Sequence, residues 1–264
     1  MLKLRYALLV TIIYTATIIF SFSPEQSQSS KYSVSPQTEQ FIRQIQKELG
    51  LEKMRLYIFK LSDKEKRYII RTNAYVNQDP IMVIDEEWFN ELSDAEKRFL
   101  IGHELMHINK DHIFKKKFFI FSLGIPTSIA INLLIYKFQK DLNIKLKDSP
   151  QIASVAIYAT LISLAPFSLW YNRHLEREAD LESATTLHCA RGGELLFKRV
   201  LEEINAIPHT WLHKKLLYFY EKFLGTHPTL KKRIKYLAKL AQKQEEADKQ
   251  KNISTSISSS FAIA

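Results

Sequence analysis

The stretch FLIGHELMHINKDH, Phe99 to His112, carries two histidines at helical spacing with an acid beside the first. Positions i and i+4 of a helix lie one above the other. His103 and His107 can therefore present two nitrogens to one metal ion. Glu104 falls to the side of that pair. It is poorly placed to ligate there, and well placed to take a proton from a water activated by the metal. Leu105 and Met106 are apolar, as a helix packed in a core needs. The competing reading is a pair of hydrogen-bonded helix histidines, since this five-residue pattern arises by chance in about one chain in a hundred of this length.

Two ligands do not make a catalytic metal site, which wants three protein ligands and a water. His112 is five residues beyond His107 and points away from the pair. A downstream stretch, YNRHLEREADLESATTLHCARGG, offers Glu176, Glu178, Asp180 and Glu182. Helical spacing gives two stacked pairs, Glu176 with Asp180 and Glu178 with Glu182. In either pair one acid can ligate, and the other can accept a hydrogen bond from a ligating histidine. Periodicity alone does not choose between them. All four acids are equally compatible with a solvated face shared with Arg173 and Arg177.

These residues need elements to hold them. Residues 38–49 have an amphipathic pattern that ends at Gly50. MRLYIFKL, RYIIRTNAYV and IMVID, at 54–61, 67–76 and 81–85, are rich in aromatic and β-branched residues and predict strands. SDAE, 93–96, is a capping box, with Ser93 as cap and Glu96 reaching back. It opens a helix that runs through His103 and His107. The stretch after Trp170 reads as a helix stopped by Gly192-Gly193, followed by an amphipathic helix over 194–205. Pro228 suits the first turn of a final helix. From about 243 the chain is charged and then Ser-rich, which predicts disorder.

The chain has 264 residues, 46% hydrophobic and 25% charged, so any membrane segment must be local. Two apolar runs qualify, 118–136 and 150–170, each close to one bilayer crossing and free of charge. Lys115 to Lys117 and Lys137 flank the first. Pro126, Asn132 and Pro166 favour two buried core helices instead. Lys3 and Arg5 precede a third apolar run, Ala7 to Phe22, which reads as a signal anchor or a signal peptide. Net charge is +10, from 38 Lys and Arg against 28 Asp and Glu. That suits anionic lipid headgroups. No nucleic-acid-binding module accompanies it, so no nucleic-acid partner is expected. The lone cysteine, Cys189, excludes an intramolecular disulfide.

HELMH, two apolar segments, NRHLEREAD and THPTLKKRI, in that order, resemble the HtpX-type and CAAX-prenyl-endopeptidase-type membrane zinc metallopeptidases over roughly residues 38–240. That family's second helix carries Arg, two residues, Glu, two residues and Ala-Asp, here Arg173, Glu176, Ala179 and Asp180. The resemblance implies that Glu176 is the third ligand and that Asp180 holds a ligating histidine. It implies that Asn73 and Ala74, in NAYV, lie on a strand along the substrate cleft. It also implies that His227 and Arg233 lie near the site. HtpX-type proteins commonly begin with two membrane segments, whereas this chain shows one. The prenyl-endopeptidases build a large intramembrane chamber from more spans than this chain has. A single leading segment is more similar to quality-control peptidases of the mitochondrial inner membrane and their bacterial relatives.

The expectation is a mainly α protein with a small β-element, an α+β zincin-like core with transmembrane helices. Its segments are 1–23 as anchor or signal peptide, 24–117 and 171–242 as the two parts of a peptidase domain, 118–170 as a transmembrane hairpin, and 243–264 as a disordered tail. One zinc ion per chain is expected on His103, His107 and Glu176, with Glu104 as general base and His227 or Arg233 at the oxyanion. The expected substrate is a protein or peptide, added as a strand beside Asn73 and Ala74. The rival expectation is a catalytically idle membrane scaffold. Lys3 and Arg5 place the catalytic side outside the cytoplasm. Lys110, Lys115 to Lys117, Arg173, Arg177 and the HtpX-type resemblance favour the cytoplasmic face.

Overall fold

The computed structural model describes residues 33–61, 74–76, 81–141, 150–206, 210–211, 215 and 219–261. The expected anchor at 1–23, the strand residues 67–73 with Asn73, and the 142–149 loop lie outside the described residues. The elements in order are α1 (Pro36–Glu48), β1 (Tyr57–Lys60), β2 (Ala74–Val76), β3 (Ile81–Ile84) and α2 (Glu86–Glu91). Then come α3 (Asp94–Asn109), α4 (His112–Asp141), α5 (Pro150–Thr186), α6 (Ala190–Ala206), a π turn at Tyr220–Leu224, and α7 (Leu230–Phe261). The fold is mainly helical with one three-stranded sheet, as the sequence predicts.

Each helix begins or ends where local chemistry demands. Ser35 caps α1 by accepting from Thr38 N–H, and Gly50 follows its end with φ 69°, the left-handed geometry that glycine tolerates. Ser93 and Glu96 form the expected reciprocal box at the start of α3. Glu96 does more than cap. Arg199 of α6 donates to both its oxygens, at 3.0 and 3.3 Å, and ties α6 to the root of α3.

The sheet order is β1-β3-β2, with β3 central, parallel to β1 and antiparallel to β2. Tyr75 pairs with Val83, so β2 is an edge strand, and it lies against α3. The core joins Ile42 and Ile45 of α1, Met82 and Ile84 of β3, Phe99, Ile101 and Leu105 of α3, Leu196 of α6, and Leu237 of α7. Burial on these faces is what holds α3 rigid.

The described residues fall into two units, one within Asp111–His174 and the other within Gln26–Lys110 and Leu175–Ala264. The first is α4 with the leading part of α5. These two helices are long and apolar enough to cross a membrane. Their outer faces carry uncovered Phe118, Leu134, Tyr158 and Ile162, the last 72% exposed. That is unlike the buried core helices that the prolines suggested. The polar side chains inside the runs serve themselves. Asn132 donates to the Ser128 carbonyl at 2.8 Å, and Thr160 to the Ala156 carbonyl at 2.7 Å. Each of these side chains thus finds its partner in a backbone carbonyl four residues back on its own helix. Phe119 stacks on Tyr171 at 4.1 Å and joins the pair. The apolar run of α5 ends at Trp170, and the part of α5 from Leu175 onward belongs to the second unit.

Three expectations change. The helix through Glu176 stops at Thr186, not at the glycines, and His188 takes a left-handed φ of 53° in the break. Gly192 and Gly193 sit inside the first turn of α6, where a Cβ on Gly192 would lie 2.0 Å from the Ala95 carbonyl oxygen. They permit close approach of α6 to α3. Pro228 precedes the final helix, whose first turn is capped by Thr229 accepting from Lys232 N–H. Finally, α7 continues to Phe261, through the tail expected to be disordered. Its Gln, Glu, Lys and Ala content suits a solvated helix. Gln244 anchors that extension by donating to Ala184 O at 2.9 Å and accepting from Ala190 N–H at 3.2 Å.

Candidate metal centre

Helix α3 sets the first two donors. His103 Nε2 and His107 Nε2 stand 3.2 Å apart, with ring centroids 4.7 Å apart and rings crossed at 82°. Helix α5 supplies the third. Glu176 Oε2 is 3.4 Å from His103 Nε2, and Oε1 is 3.4 Å from His107 Nε2. Ligand atoms of the three residues lie within 4.8 Å of one another.

Those distances suit an ion. A tetrahedral centre with bonds of roughly 2.0–2.1 Å spaces its ligand atoms roughly 3.3–3.4 Å apart. Oε2 of Glu176 is buried without a hydrogen bond of proper geometry, a position that a cation satisfies and an apolar neighbour does not. His, His and Glu are also a donor set that zinc accepts.

Behind the trio sits Asp180, one turn after Glu176 and fully buried. Its Oδ1 is 2.9 Å from His103 Nδ1. That contact fixes the ring so that Nε2 faces the other two donors. Arg233 of α7 grips the same carboxylate with both ends of its fork, Nε to Oδ2 at 2.8 Å and Nη2 to Oδ1 at 2.5 Å. Tyr236, one turn further along α7, donates its hydroxyl to Oδ2. The Phe197 ring lies 3.9 Å from the Arg233 guanidinium and closes the cluster from α6.

Electrostatics agree with a cation-seeking site. Burial alone raises the Glu176 carboxyl, yet the close His103 imidazole and the facing His227 and His107 hold it well below the usual carboxylate range. Burial likewise opposes the Asp180 charge, and Arg233 and His103 overcome it. Burial lowers the His103 imidazole, but its bonds to Asp180 and Glu176 carry it up to about 10. Glu104, beside the pair on α3, is pushed up by burial to about 8, with His103 pulling the other way. That is the range in which a carboxylate exchanges a proton near neutral pH.

The structure brings Glu176 and Asp180, and not the alternative pair, to the histidines. Glu182 instead faces Lys110 at 3.3 Å on the surface. His227 is half exposed, with Nε2 3.4 Å from Glu176 Oε2 and Nδ1 3.0 Å from the Thr226 hydroxyl. Arg233 is buried, hydrogen-bonded to Asp180, with Nη2 4.0 Å from Glu176 Oε2. Ala74 lies on the edge strand beside α3. Tyr236 and Phe197 are the neighbours that sequence patterns missed. The available signal for Tyr236 was its i+3 spacing from Arg233, which puts both on one face of α7.

Two helical histidines, an acid from a second helix and an unligated glutamate alongside them define the metallopeptidase class. The chain matches the profile of peptidase family M48 over residues 33–241, most of its length, and belongs to that family of HtpX and CAAX protease-type zinc metallopeptidases. No curated protein and no solved structure gives a match.

Proposed function

We propose that this chain is a membrane-anchored zinc endopeptidase that holds one zinc ion on His103, His107 and Glu176. The observation that carries the reading is the spacing of the three donors, 3.2, 3.4 and 3.4 Å, with Glu104 beside them. When bound, zinc would supply a Lewis acid for the scissile carbonyl and make an attacking water acidic near neutral pH. Glu104 takes the proton from that water and passes it to the leaving amine. His227, exposed at the rim, donates Nε2–H to the developing oxyanion. That tautomer is the one the Thr226 hydroxyl supports when it donates to Nδ1. Arg233 acts through Asp180 by holding the His103 ring, which replaces the oxyanion role the sequence also allowed. The substrate, a protein or peptide, adds as a strand on the β2 edge near Asn73 and Ala74. The two apolar helices anchor the chain in lipid, and quality control of membrane proteins is the role this arrangement suits.

Replacing Glu104 by Gln should leave bound zinc at one per chain and reduce peptide hydrolysis by several orders of magnitude. His103→Ala should lose both. Metal content of purified protein, with turnover of a fluorogenic peptide, tests the pair. Near-normal turnover by Glu104→Gln would remove Glu104 from the reaction.

A further inference from the structure

The Asp180 carboxylate has about four lone-pair sites. Arg233 Nη2 donates to Oδ1 at 2.5 Å, and His103 Nδ1 lies 2.9 Å from the same oxygen. Arg233 Nε takes Oδ2 at 2.8 Å, and the Tyr236 hydroxyl takes the remaining site on that oxygen. Three hydrogen bonds from α7 and the close His103 imidazole thus surround a fully buried carboxylate.

The Tyr236 ring is itself located. The Arg177 guanidinium of α5 lies 5.7 Å from its centroid, one turn before Asp180 on the same helix. Tyr236 therefore meets α5 twice, through its ring at Arg177 and through its hydroxyl at Asp180. A tyrosine serving packing alone has no need to place its hydroxyl on a charged oxygen that water does not reach.

Remove that hydroxyl and Oδ2 is short of one donor in a site without solvent. An unsatisfied buried charge recovers by moving. Rotation of the carboxylate towards the Arg233 fork draws Oδ1 away from His103 Nδ1. The imidazole then loses its anchor, and Nε2 no longer holds its spacing to His107 and Glu176. We propose that Tyr236 is a positioning residue for the metal centre, acting through Asp180 to set the orientation of the His103 ring. This rests on the reading of His103, His107 and Glu176 as zinc ligands.

The experiment uses full-length protein in detergent and chelator competition for zinc, with cobalt substitution as a second readout. Tyr236→Phe keeps the ring and should weaken zinc binding about tenfold, the lower end of the effect of outer partners of metal ligands. It should also shift the cobalt d–d absorption, because the His103 ligand field changes. Leu237→Ala, a core deletion on the same helix at a fully buried position, should lower thermal stability and leave zinc affinity within about twofold. In an Asp180→Asn background, Tyr236→Phe should add little, because both act on one pathway. Wild-type zinc affinity and an unshifted cobalt spectrum for Tyr236→Phe would overturn the assignment, as would full additivity with Asp180→Asn. Failure of the wild type to bind zinc stoichiometrically would instead strike the ligand reading, and this inference with it.

Discussion

Glu176 is the residue on which the candidate metal centre turns, because it faces both histidines of α3 from α5, whereas Asp180 meets His103. Its neighbour Glu178 has the same chemistry and lies two positions along the same helix. Glu176→Ala should cost at least about two orders of magnitude in zinc affinity, whereas Glu178→Ala should change it little. Asp180→Asn keeps the shape of the side chain but weakens its grip on His103, and should lose about 10–100-fold. Equilibrium dialysis against a zinc buffer ranks the three, and equal affinities for the Glu176 and Glu178 variants would refute the choice. At this scale the sequence was legible where geometry is local. The i, i+4 rule placed His103, His107 and Glu104 without further help. It was silent where two helices must meet, since Glu176/Asp180 and Glu178/Glu182 have identical spacing. Only the rotation of α5 against α3 separates them, and that is fixed by burial of Ala179 and Ser183 on the inner face. The family pattern around Arg173 pointed to the same pair.

Helices here are punctuated by cap residues that a sequence displays, and are docked by features that it conceals. The box at Ser93 and Glu96 and the turn at Gly50 were readable, since each is a local hydrogen-bonding device. Gly192 and Gly193 were misread as a stop. Glycine ends helices and also lets two backbones touch, and spacing does not tell the two uses apart. The tail was misread because its low hydrophobicity excludes a buried face but not a helix with one anchored end. Gly192 gives the element-scale prediction. A Cβ there would stand 2.0 Å from the Ala95 carbonyl, a backbone atom with no rotamer to yield. Gly192→Ala must push α6 off the root of α3, at about 1–3 kcal/mol of overpacking. That outweighs the few tenths to about 1 kcal/mol that Ala gains over Gly in a helix. Thermal unfolding should therefore show a lowered midpoint, and a raised one would mean that the close approach does not exist in solution.

For the molecule as a whole, the question is which side of a membrane the candidate metal centre would face if α4 and α5 cross it. The long apolar helices α4 and α5 would each cross once, so the chain returns to the side it left, as it must if His103, His107 and Glu176 share one ion. The first apolar run then decides the side. Lys3 and Arg5 precede it, and no basic residue follows until Lys31, so the positive-inside rule keeps the N-terminus in the cytoplasm. That puts residues 24–117 outside, and the stretch with Lys140, Lys145 and Lys147 inside, where its charge belongs. Lys110, Lys115 to Lys117, Arg173 and Arg177 oppose this arrangement, because they gather on the catalytic side. By the positive-inside rule applied to Lys3 and Arg5, the extracytoplasmic site is the expected outcome. Cysteines at Gln37 and Asp141 report the two sides once the buried Cys189 has been replaced. In intact cells a membrane-impermeant thiol reagent should label Gln37→Cys and miss Asp141→Cys. Labelling of Asp141→Cys alone would place the zinc site in the cytoplasm and overrule the N-terminal charges. Labelling of both would show that α4 and α5 do not cross, and would turn the exposed apolar faces of Ile162 and Leu134 into a surface to be explained by protein rather than lipid.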